Sequence, residues 1–157
     1  MSKLKTKKFE VISVDAAGRW LEILEKVKNF DFYHLPAYHK IEQRRVGGIG
    51  QLLYYERNDA LIAIPILMNS LSVPLGSGSF AHVKDVTSVY GYPGPICSNR
   101  VEESDLSSFS RALQDYLVGE DVVCAFSRLH PLLNTSQCLM SIGEVINVGF
   151  TVSKDLN

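Results

Sequence analysis

QLLYYER (51–57), NDA (58–60) and LIAIPILMN (61–69) form one continuous stretch. Its reading decides the fold. Two runs rich in Leu, Ile and Tyr flank a short group of turn-forming residues. That pattern predicts a β-hairpin, with Asn58-Asp59-Ala60 as its turn. Pro65 cannot donate to a ladder, so the second strand is expected to lie at an edge or to bulge there.

Working outward toward the amino terminus, FEVISV (9–14) alternates and predicts a strand. Asp15 can cap a helix over Ala16–Lys28, whose apolar face holds Trp20, Leu21, Ile23, Leu24 and Val27. Pro36 suits the first turn of a second helix, Pro36–Arg44. Toward the carboxyl terminus, Leu71–Ala81 is Ser- and Gly-rich and reads as loop, followed by a short strand near Lys84–Val86. Leu106, Phe109, Leu113, Tyr116 and Leu117 give a helical period over Glu102–Val118, with acidic residues at its start and Gly119 as its stop. VVCAF (122–126) predicts a fully apolar strand, with Cys124 as a small buried hydrophobe. Arg128–Thr135 reads as a loop or helical turn, and Val145–Val152 as the last strand. Alternating strands and helices around a hairpin predict one α/β domain with a mixed sheet.

The 157 residues suffice for a single core; 46% are apolar and 21% charged. A net charge of −1 gives no support for a general nucleic-acid or membrane-surface binder, and no DNA partner is expected. The one basic cluster, KLKTKK (3–8), has no apolar run behind it, so residues 1–8 are expected to be a disordered tail. No apolar run approaches the roughly 18 residues of a membrane span. Cys97, Cys124 and Cys138 are odd in number and without CxxC spacing, which argues against a disulfide framework or zinc site and for a cytoplasmic location. The four histidines are scattered; His34 and His39 are five apart, which does not stack two ligands on one helix face. No metal site is expected.

RVGGIG (45–50) fits R-x-x-G-x-G, a run that can cradle a pyrophosphate. Here a helix precedes it and a strand follows, so it reads as a helix-to-strand turn with Gly47 or Gly48 at the helix end. No cofactor site is expected on this chain. No serine occupies a G-x-S-x-G elbow.

DVTSVYGYPGP (85–95) combines an acidic residue, two tyrosines, two glycines and two prolines, and predicts a shaped loop. Tyr90 and Tyr92 on such a loop suit a sugar or peptide face, or cover the sheet. RLHPLLN (128–134) directly follows a strand, where ligand crevices commonly open. Arg128 offers a forked donor, and His130 an imidazole able to donate or accept a proton. Equally, Arg128 can pair with a structural carboxylate while His130 and Asn134 satisfy loop backbone.

FYHLPAYHKI (32–41), LLYYERNDALIAIPILM (52–68), DVTSVYGYPGPI (85–96) and SRLHPLLN (127–134) occur in that order. Together they resemble the amino-terminal half of FemAB-like acyltransferases of the GNAT superfamily. The resemblance covers about residues 9–156. It implies a GNAT-like, mostly antiparallel mixed sheet with flanking helices over residues 9–157, the first of two such domains in a full-length protein. It implies N-acyl or aminoacyl transfer to an amine, in cell-wall or polysaccharide synthesis. The donor would be acyl-CoA or aminoacyl-tRNA, held mainly by a second GNAT-like domain or another copy. The acceptor would be a peptidoglycan precursor or sugar amine. Asp85, Tyr90 and Tyr92 would shape the acceptor cleft and Arg128 and His130 its far wall; Tyr90, Tyr92, Arg128 and Asn134 are the candidate substrate-binding residues. Asp85 and His130 are the candidate proton acceptors. The alternative is a non-catalytic binding or assembly module that keeps the fold.

Overall fold

The computed structural model describes residues 7–71 and 82–154. Its elements are β1 (Lys7–Ser13), α1 (Ala17–Val27), a 3-10 turn (Phe32–His34), α2 (Pro36–Val46), β2 (Ile49–Arg57), β3 (Ala60–Ser70), β4 (Lys84–Thr87), β5 (Ile96–Cys97), α3 (Glu103–Gly119), β6 (Val122–Phe126) and a 3-10 turn (Ser136–Cys138). They build an α/β fold on a mixed six-stranded sheet in the order β1-β2-β3-β4-β6, with β5 also on β3. All pairs are antiparallel except β4 with β6.

The hairpin is its centre. Arg57 pairs with Ala60, so the turn is the two residues Asn58-Asp59, and Asn58 takes φ 56° as asparagine readily does. β2 is buried on both faces. Leu52 and Tyr54 pack with Trp20, Ile23 and Leu24 of α1. Leu53 and Tyr55 pack with Phe109 and Leu113 of α3. Two helical layers therefore sandwich one sheet, and LLYY is apolar throughout because it faces both. Trp20 fixes the chain after α1 by donating from Nε1 to the His34 carbonyl at 2.9 Å.

Pro65 lies inside β3, which is not an edge strand. Leu61 N–H donates to Ser98 Oγ and its carbonyl accepts from Ser98, so the odd-numbered residues of β3 turn away from β2. On that side β5 covers Ile62–Ala63 and β4 covers Leu67–Ser70. Pro65 sits opposite the gap between them, where a donor would have no ladder partner.

Several expectations are corrected. Lys7 and Lys8 belong to β1, not to a disordered tail, because they pair with Arg57 and Glu56. Asp15 does not cap α1; Ala16 stands at the cap, and Asp15 pairs with Lys40 at 2.8 Å. Gly119 is the last residue of α3, and the left-handed residue that turns the chain is Asp121, φ 56°. β6 is not core: as the end strand of the sheet it leaves Val123, Cys124, Ala125 and Phe126 exposed. Val145–Val152 forms no strand; the segment lies exposed, with no ladder to satisfy its alternation. The Ser/Gly-rich loop falls, from residue 72 to 81, outside the described residues. Among the described residues no helix is long and apolar enough to cross a membrane.

Candidate functional site

β3 and β4 present alternate side chains to opposite faces. Val86 and Met68 point into the α3 core. Asp85, Thr87, Leu67 and Asn69 line a cleft of about 470 Å³ on the other side. The carboxyl end of α2 forms its roof with Glu42, Arg45 and Val46. Ser88, Val89 and Tyr90 of the loop after β4, with Arg128 just past β6, form its far end.

Three groups of contacts shape this cleft. Asp85 stands opposite Asn69 in the ladder and accepts from its Nδ2 at 2.7 Å. Glu42 is buried yet anionic: Arg45 grips it in a fork, Nε to Oε1 at 2.8 Å and a terminal nitrogen to Oε2 at 2.7 Å. The Tyr90 amide donates to the same Oε2 at 3.2 Å. The Arg45 guanidinium is the main reason the Glu42 carboxyl lies below its ordinary pKa; burial opposes it and the Tyr90 amide assists. Ser88 stitches the strand ends together. Its N–H donates to the Phe126 carbonyl at 3.0 Å, and its Oγ accepts from the Arg128 N–H at 3.2 Å. The Arg128 guanidinium is exposed and stands 5.4 Å from the Phe126 ring centre.

Of the residues singled out in the sequence, Asp85, Tyr90 and Arg128 meet in this cleft, and Tyr92, His130 and Asn134 do not line it. Tyr92 packs edge-on to Tyr33, with ring centres 6.0 Å apart. His130 is nearly buried and bound at both ring nitrogens. Nδ1 accepts from the Leu132 N–H at 3.2 Å, which leaves Nε2 to carry the proton toward Asp31 Oδ2 at 2.7 Å. No lone pair remains for a substrate proton. Asn134 serves backbone geometry, with φ 50° in the left-handed region.

An aromatic surface adjoins the cleft. Tyr38 Oη donates to the Tyr90 carbonyl at 3.1 Å. Phe32 and Tyr33 pack at a tilt with ring centres 4.0 Å apart, and Tyr38 meets Phe32 edge-on at 5.5 Å. Beneath them His39 is fully buried. Its Nε2 donates to the Tyr33 carbonyl at 3.0 Å, and burial pulls its pKa down to about 4.

Glu42 and Arg45 were missed in the sequence. Their three-residue spacing on a helix was legible as an ion pair, but nothing local placed that pair above β4. The RVGGIG run is the plain turn expected: Gly47 and Gly48 have φ 85° and 82°. A side chain on Gly48 would overlap the Asn69 amide on the cleft floor. Among the described residues no group of three His, Cys, Asp or Glu could hold a metal ion.

No family model, curated protein or solved structure matches the chain.

Proposed function

We propose that this chain is the amino-terminal, acceptor-binding domain of a FemAB-like N-acyltransferase, acting on an amine of a peptidoglycan precursor or sugar. The observation that carries the reading is the shared cleft of Asp85, Tyr90 and Arg128, residues that come from two separated motifs. Asp85 can accept a hydrogen bond from an incoming amine, Arg128 can fork to a carboxylate or phosphate, and Tyr90 offers an exposed ring. Transfer itself needs positioning and loss of one proton. The activated acyl group, on coenzyme A or tRNA, is held by a second domain or another copy.

One observation favours the second reading, a non-catalytic binding module. His130 is fully engaged, and Asp85 already bonds Asn69, so neither candidate base stands free in the chain alone.

Calorimetric titration separates the outcomes. A UDP-linked muropeptide or a glucosamine-type amine is expected to bind, with affinity falling about tenfold or more in Arg128→Ala and Asp85→Ala through loss of a charged hydrogen bond. Acyl-CoA is expected not to bind. Tight acyl-CoA binding by the chain alone, or acceptor affinity unchanged in both variants, would overturn the assignment.

A further inference from the structure

The two ends of the sheet are finished differently. β1, at one end, carries Lys7, Lys8 and Glu10, charges of the kind that keep a free edge from pairing. β6, at the other, reads VVCAF and carries neither charge nor proline; its ladder with β4 shifts register between Val122 and Cys124, and from Cys124 to Phe126 it runs regularly. Val123 is 65% and Phe126 54% exposed, and Cys124 at the strand's midpoint is exposed as well. The Phe126 carbonyl accepts from Ser88 and so faces β4; alternation then turns the Ala125 amide and carbonyl outward. Among the described residues no strand pairs with this outer edge. Charge flanks it asymmetrically: Glu120, also paired with Lys84 at 2.7 Å, and Asp121 precede it, and Arg128 follows.

We propose that β6 pairs antiparallel with β6 of a second copy, about a two-fold axis through Cys124. That register sets Val122 against Phe126 and Val123 against Ala125. It also brings the acidic start of each strand, Glu120 and Asp121, beside Arg128 of the other copy, whereas parallel pairing would set like charges together. One contact satisfies both copies and closes the assembly at two. The competing occupant is the chain's own segment Val145–Val152, which does not pack on the edge here: Val148 is 95% and Phe150 98% exposed. In the dimer an acidic strand start borders Arg128 at the cleft end, so the second copy takes part in what that arginine can bind.

Native Cys124 reports on the axis. Diamide oxidises two thiols to one disulfide, taking up their two hydrogens. The expected product from the intact chain is a covalent dimer whose peptide map joins Cys124 to Cys124, absent in Cys124→Ser. Sedimentation of the reduced protein should show a reversible monomer–dimer equilibrium. Val123→Lys should raise the dissociation constant at least about tenfold with an unchanged circular dichroism spectrum. A monomer at every concentration would overturn the proposal. So would a dimer indifferent to Val123→Lys, a cross-link joining other cysteines, or an intramolecular link from Cys124 to a cysteine placed by Phe150→Cys.

Discussion

Gly91→Ala tests how the loop between β4 and β5 is held. Gly91 has φ 93°, a conformation that costs a residue with a Cβ about 1–2 kcal/mol. A Cβ there would overlap Cε1 and Cδ1 of the Tyr33 ring and lie 2.8 Å from Cζ. Tyr33 cannot retreat freely, because its ring touches Phe32, Tyr38 and Tyr92. Forcing such a cluster apart costs about 1–3 kcal/mol more. The sum, about 2–5 kcal/mol, corresponds in a domain of this size to a fall in Tm of roughly 5–15 °C. Differential scanning calorimetry reads it directly. Gly119→Ala is the control: it ends a helix, has no atom within 4 Å of the new Cβ, and has no left-handed φ. It should leave Tm unchanged or raise stability by up to about 1 kcal/mol. If Gly91→Ala stays within about 0.5 kcal/mol of the wild type, the account of this loop is wrong.

Three further outcomes are expected. Glu42→Gln should cost about 1 kcal/mol at pH 7, since Arg45 is half exposed and solvent screens the pair; because the native carboxyl lies below its unfolded pKa, urea titrations should show that difference fading as pH drops below about 4. His39 is depressed to about 4 when folded, so the unfolded chain binds the extra proton between that value and the ordinary 6.5; stability should fall by roughly 3 kcal/mol on acidification through that window, and less in His39→Gln. Phe109→Ala, at a fully buried position between β2 and α3, should lose about 3–5 kcal/mol by thermal denaturation while α1's near-ultraviolet Trp20 signal persists up to the transition.

The hairpin and the three helices were legible because their signals are local: turn chemistry at Asn58-Asp59, a 3.6-residue period, and proline at a first helical turn. Signals that depend on a partner misled. VVCAF is apolar enough for a core, but a five-residue run cannot say whether a strand has neighbours on both sides. The alternation in Val145–Val152 likewise describes a strand only if a ladder receives it. Pro65 correctly announced a missing partner, and the inference to an edge failed because the neighbour is interrupted instead of absent. At the cleft, Asp85, Tyr90 and Arg128 were found through their motifs. Glu42 and Arg45 were not, since only tertiary packing carries α2 over β4.

The break opposite Pro65 has a mechanical consequence. The polypeptide leaves β3's flank after Thr87, travels out through Tyr90 and Tyr92, and rejoins the same flank at Ile96. Both feet of that arch stand on a single rod, so it cannot swing like a gate hinged at one side. Whatever enters beside Tyr90 meets a wall already set during folding, and forfeits little of its affinity to fixing that wall in place.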